Sequence, residues 1–179
     1  ALLKARDVAR RDPGGIIVAC DTVVVQRGRV FGKPRDLLEA RRMLRLLSHR
    51  PHTLYTGMVV IDPKSGREIS ACEVTKIFMT PLSENEITRY FKKVSPLDKA
   101  GAFDIQGLGA LFIRRIEGCY FNVVGLPLAR LRMMLKRFGV TILALLAAFS
   151  FYGCATEFNT ATRNEDLMMY STDREVSIG

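Results

Sequence analysis

Residues 16–26 read Ile-Ile-Val-Ala-Cys-Asp-Thr-Val-Val-Val-Gln, eight apolar residues in eleven with one carboxylate, Asp21, in the middle. A β-branched apolar run of this length predicts a strand buried on both faces of a sheet. A lone carboxylate buried in such a strand is costly unless a cation, a metal or hydrogen-bond donors meet it. The strand is therefore expected to break or end at Asp21. Two readings stay open here: a site carboxylate, and a strand end that merely reaches water. The following residues add weight to the first. Arg27-Gly28-Arg29 is a turn, and Gly32-Lys33-Pro34 sets a lysine between a glycine and a proline on a short, rigid loop. A carboxylate with a lysine one hairpin away suits a metal-bound phosphate.

A chain of 179 residues has room for one domain with a real core. The formal charge of +9 is unevenly spread: residues 1–154 carry 25 basic and 13 acidic groups, and residues 155–179 carry two and five. Such an excess attracts a polyanion, a nucleoside triphosphate included. It does not read as a nucleic-acid surface, because Arg41-Arg42 and Lys92-Lys93 lie on solvated helix faces without interleaved aromatics. Cys20, Cys72, Cys119 and Cys154 stand too far apart for a zinc knuckle or a disulfide framework. Cys20 reads as a small buried hydrophobe. His49 and His52 flank Pro51 in a polar loop and read as surface residues, with a metal pair as the alternative.

Apolar residues at 2, 3, 5, 8 and 9 predict a helix that stops at Asp12-Pro13-Gly14-Gly15. Residues 36–47 predict an amphipathic helix with Leu37, Leu38, Met43, Leu46 and Leu47 as its apolar stripe. Alternation predicts strands over 52–62 and 67–79, joined by a turn at Pro63-Lys64-Ser65-Gly66. Ser83-Glu84-Asn85-Glu86 is a capping-box signature that opens a helix through residue 93. The glycine-rich stretch 95–110 contains Asp98, Lys99 and Gln106, which read either as ligand contacts or as solvated loop residues. A strand over 111–116, a turn over 117–122 and a last helix reaching 137 complete the pattern. The order predicts an α/β fold: a mixed, twisted sheet with flanking helices and a cleft.

Ala19-Cys20-Asp21-Thr22-Val23-Val24, Gly32-Lys33-Pro34, Leu47-Ser48, His52, Thr56-Gly57, Asp98-Lys99-Ala100-Gly101-Ala102-Phe103-Asp104-Ile105-Gln106-Gly107 and Asn122-Val123-Val124-Gly125-Leu126-Pro127-Leu128 follow one another in order. Together they resemble the successive motifs of the Maf family, known as septum-formation inhibitors, over residues 1 to about 138. The resemblance implies a fold like those of Maf proteins and inosine triphosphatases. It also implies a nucleoside triphosphate pyrophosphatase of the branch that hydrolyses dTTP and UTP, rather than the 7-methyl-GTP branch. It implies that Asp21 accepts the proton of the attacking water and also ligates a divalent cation, Mg or Mn. By the same resemblance Lys4 and Lys33 contact phosphates, and Thr22 and Gln106 select the base. The partners expected are the triphosphate, a second copy in a homodimer, and no nucleic acid. The family opens with a strand and a Ser-x-Ser-Pro-Arg-Arg phosphate loop, which the 179 residues do not include. The alternative expectation is thus a non-catalytic nucleotide-binding or interaction remnant.

The character changes after Arg137. Lys136 and Arg137 precede an apolar run over 138–153, and a glycine stands before Cys154, the grammar of a secretory signal with a lipobox. The run is shorter than the roughly 20 residues that a spanning helix needs; a buried terminal helix is the alternative. Residues 154–179 resemble the mature start of bacterial lipoprotein zinc metallopeptidases, without an HExxH motif. The expected organisation is a Maf-like unit over 1–137, a signal-like segment over 138–153 able to touch a membrane, and a poorly packed tail over 154–179. The expected location is the cytoplasm, with the inner membrane as the alternative through 138–153.

Overall fold

The computed structural model describes residues 1–141, 157–159 and 164–166. Five strands form one sheet: β1 (Ile17–Gln26), β2 (Arg29–Phe31), β3 (His52–Asp62), β4 (Arg67–Met79) and β5 (Ile113–Glu117). Their order is β2-β1-β3-β4-β5, and all four pairings are antiparallel. Five helices flank it: α1 (Leu2–Arg11), α2 (Leu37–His49), α3 (Glu84–Phe91), α4 (Tyr120–Val124) and α5 (Leu128–Lys136). This is the α/β architecture expected from the residue pattern, with the sheet antiparallel throughout where a mixed sheet is expected. A separate two-stranded pair, β6 (Glu157–Asn159) and β7 (Asn164–Asp166), follows the main body.

Strand alternation divides the sheet into two faces. On one face Val24, Leu54 and Ile77 pack with Ala40, Met43, Leu44 and Leu47 of α2 and Ile87 of α3. Further along that face Met58 and Val60 pack with Leu131, Met134 and Leu135 of α5. The opposite face offers Val59 and Ile61 to Ala5 of α1. Phe138 and Val140 join the α5 cluster, and Arg67 lies 5.1 Å above the Phe138 ring, so the packed body runs to Val140. The rest of the signal-like segment, the lipobox cysteine and most of the tail lie outside the described residues. No helix among the described residues is long and apolar enough to cross a membrane.

Several local expectations are corrected. The β1 strand neither breaks nor ends at Asp21 but runs on to Gln26, and only Val24 and Gln26 are buried within it. Gln26 is held by donating from Nε2 to the carbonyls of Leu46 and Arg50. The buried stripe of α2 is Ala40, Met43, Leu44, Leu47 and Ser48, whereas Leu37, Leu38 and Leu46 are exposed. Asp36 caps that helix by accepting from Glu39 N–H, and the buried face differs from the one the leucine count predicts. His52 is a core residue, 1% exposed, with its ring edge-on to Phe103 at 5.4 Å. It opens β3 opposite Ile77, and the period of two turns it inward. A 3₁₀ turn over Gly107–Phe112 delays β5, and α4 replaces the turn expected at 117–122. The capping box of α3 forms as its sequence predicts, with Ser83 and Glu86 bonded reciprocally.

Candidate active site

Asp21 sits on the α1 side of β1, one step beyond Ala19, which α1 covers. Its neighbour across the ladder is Gly57, so no side chain from β3 stands in front of the carboxylate. The Asp21 side chain is 54% exposed, with Lys4 Nζ 4.0 Å from Oδ1 and the Ala1 nitrogen 3.7 Å from Oδ2. Lys4 reaches it because the α1 face carrying Ala5 docks on Val59 and Ile61. Asp21 and Lys4 thus meet as a solvated pair, and neither charge carries the desolvation cost of a buried ion pair.

Thr22, one residue on, points to the opposite face. Its hydroxyl lies 2.8 Å from that of Thr56, its partner across the ladder. A ligand reaching both Asp21 and Thr22 must therefore lie across the edge of β1 and not on one face. That edge is open: β2 pairs only with residues 24–26, and no other strand among the described residues pairs along 17–23 on that side. The chain leaves β2 after Phe31, opposite Val24, into a loop that begins at Gly32. Lys33 follows, exposed, above a buried Pro34.

The loop carrying Gln106 is tied to the loop carrying Lys33. Gly101 N–H donates to the Gly32 carbonyl at 3.1 Å. Gly101 has φ +75°, and a Cβ there would lie 2.8 Å from Leu47 Cδ1, so only glycine fits both the turn and the gap. Buried Phe103 and Ile105 anchor the segment and leave Gln106 in solvent. Gly109 presses onto the Asp104 carbonyl, where a Cβ would come within 1.9 Å of the oxygen. Burial, opposed by nearby Lys99, raises the Asp104 carboxyl above the usual range. The Tyr90 hydroxyl, which accepts from Asp104 N–H, is pushed up to about 12 by burial. Cys20, beside Asp21 in sequence, is pushed up to about 11 by burial and stays a neutral thiol, no nucleophile at neutral pH.

The structure thus brings Asp21 to Lys4 and the Lys33 loop to the Gln106 loop. Among the described residues, no hydrogen bond or ion pair joins Lys33 or Gln106 to Asp21 or Thr22. Nor do any three of His, Cys, Asp and Glu gather there as a metal cage. A single exposed carboxylate fits a divalent cation that keeps waters and shares the oxygens of a triphosphate, as Mg²⁺ commonly does. Thr56 has the polar contact to Thr22 that motif order did not reveal; the signal was its place in an alternating strand, readable only once the β1–β3 register is known.

The Maf-like protein family matches residues 1–138. The dTTP/UTP pyrophosphatase of Carboxydothermus hydrogenoformans is 52% identical over 136 residues, which are 76% of this chain and 73% of the relative. That of Pelotomaculum thermopropionicum is 50% identical over 140 residues, 78% of this chain and 73% of the relative. That of Methanosarcina barkeri is 47% identical over 139 residues, 78% of this chain and 71% of the relative. The matched stretch holds the β1 carboxylate, both lysines, the Thr22–Thr56 pair and the glycine-tied loops, and by that match the chain belongs to the Maf-like protein family.

Proposed function

We propose that the chain is a nucleoside triphosphate pyrophosphatase that hydrolyses dTTP and UTP to the monophosphate and pyrophosphate. The observation that carries the reading is Asp21, exposed beside Lys4 at the open edge of β1, in a chain about half identical to relatives named dTTP/UTP pyrophosphatase. Asp21 takes a proton from water as its oxygen attacks the α-phosphorus. The bond from that phosphorus to the bridging oxygen breaks, and pyrophosphate leaves with the electron pair. Lys4 and Lys33 offset the charge on the phosphates. Thr22 and Gln106 face the base. Asp21 would hold a divalent cation, Mg or Mn, which would supply charge neutralisation on the leaving group.

A second copy is the proposed protein partner. Supporting it, Val23, Tyr55 and Val74 form one cross-strand row on the sheet face beyond α1, each more than a third exposed; sedimentation at micromolar concentration tests this. The substrate class points to work in the cytoplasm, and fractionation of cells expressing the chain checks that.

Asp21→Asn tests the enzymatic reading. Pyrophosphate release from UTP should fall by roughly 10²- to 10⁴-fold, with the melting temperature unchanged because the side chain is solvated. Retained turnover in that variant would remove Asp21 as the base.

A further inference from the structure

One polar rung of the sheet lies between the two apolar clusters that cover this face. On one side of it Val24 and Leu54 belong to the α2 cluster, and on the other Cys20 and Met58 belong to the α5 cluster. The residues between them, paired across three strands, are Thr22, Thr56 and Glu73. Glu73 turns its carboxylate to Arg130 of α5, whose Nε donates at 2.8 Å. Thr56 is fully buried, and among the described residues its hydroxyl has one partner, Thr22 Oγ1 at 2.8 Å. Thr22 is half-buried, so part of its surface still meets solvent.

A threonine hydroxyl has one proton to give and lone pairs to receive. A buried proton without an acceptor is costly, so Thr56 donates to the acceptor within its reach, the Thr22 oxygen. One lone pair of the Thr22 oxygen is then taken from behind, and its own proton is free to turn outward. Had Thr22 donated inward instead, the Thr56 proton would be stranded in the sheet interior.

We propose that Thr56 is a positioning residue that fixes Thr22 as a hydrogen-bond donor toward the base, selecting pyrimidines with a carbonyl at C4 over those with an amino group there. Uracil and thymine present a C4 oxygen that accepts from Thr22. Cytosine presents amino protons at the same place; they meet only the remaining lone pair of Thr22 and leave its outward proton without an acceptor on the base. A site whose polar group is held in one sense rejects the mismatched partner more strongly than one free to rotate. The proposal rests on the reading that Thr22 faces the base and adds how its polarity is set.

The test is equilibrium binding of the α,β-methylene analogues of UTP and CTP to the full chain, measured by calorimetry. The wild type should prefer the UTP analogue. Thr56→Val keeps the side-chain shape and drops the hydroxyl, and it should cut that preference by about tenfold. Thr56→Ser should retain the preference. In a Thr22→Val background, Thr56→Val should change nothing further, because the two residues act as one unit. A merely structural Thr56 would weaken both analogues alike and leave their ratio in place, and that result overturns the proposal. So does an effect of Thr56→Val that is undiminished without the Thr22 hydroxyl, or a wild type that binds both analogues equally. Thr56→Ala is measured in the same way should the valine variant lose its cooperative melt. Failure of the enzymatic reading appears separately, as no pyrophosphate release from UTP by the wild type.

Discussion

Mild acid should destabilise this protein through His52. The ring is 1% exposed, Nδ1 lies 3.3 Å from the Leu47 carbonyl, and buried Nε2 has no hydrogen-bond partner among the described residues. Burial lowers its pKa from 6.5 to about 4. A second ring proton would point into the apolar cluster around Phe103 with nothing to receive it. The unfolded chain binds that proton near pH 6.5 and the folded chain only near 4, so the unfolded state holds more protons between the two values. Stability from His52 is therefore complete above pH 6.5 and lost as the pH falls toward 4. The gap is worth about 3 kcal/mol in all, of which about 2 kcal/mol is gone by pH 5. Asp104 works in the opposite sense, since its raised pKa favours the folded state in acid. Urea unfolding of the wild type and of His52→Leu, each at pH 7.5 and pH 5.0, isolates the histidine. The wild type should lose about 2 kcal/mol more than the variant between the two conditions. Equal losses would mean that His52 is either protonated in the fold or reached by water, and would refute the argument.

Gly109→Ala should cost about 1–3 kcal/mol in thermal or urea unfolding, because its methyl meets the Asp104 carbonyl and the Tyr90 hydroxyl, neither free to withdraw. The same change should raise KM for UTP more than it lowers kcat, since the displaced segment leads into Gln106; steady-state kinetics read the split. Ser83→Ala removes the bond that Ser83 Oγ accepts from Glu86 N–H and the one it donates to the Glu86 carboxylate, leaving the bond from the Ser83 backbone N–H; it should cost about 1 kcal/mol in urea, with UTP turnover unaffected. Chelation with EDTA should abolish pyrophosphate release, and added Mg or Mn should restore it.

The hairpin of β3 and β4 was plain in the sequence because strict alternation leaves one choice of face and Pro63 to Gly66 leave one place to turn. The capping box of α3 was equally plain, being a local bond between residues three apart. The rotation of α2 was not. Its leucines outnumber what the core can take, and Asp36 and the small residues Ala40 and Ser48 decide which of them go inside. His52 was misplaced for a related reason: a polar residue after a proline looks like loop until the strand it begins is known. At the site, the motif residues were visible, but their adjacency in sequence concealed that Asp21 and Thr22 face opposite ways. That relation follows from the period of two once the strand is seen to continue, which the presumed break at Asp21 had hidden.

The hydrogen bond from Gly101 to Gly32 gives the Lys33 loop and the Gln106 loop a common fate. Lys33 stands one residue after Gly32 and Gln106 five residues after Gly101, so under the roles proposed for them the phosphate end and the base end of a nucleotide would meet parts of one mechanical body. Under those roles, a base that drew Gln106 inward would carry Lys33 with it, and recognition at one end would tighten the grip at the other. The fidelity of the site and its speed are therefore not separate inheritances. A lineage drifting toward a different base would have to renegotiate its hold on the phosphates through the same pair of glycines.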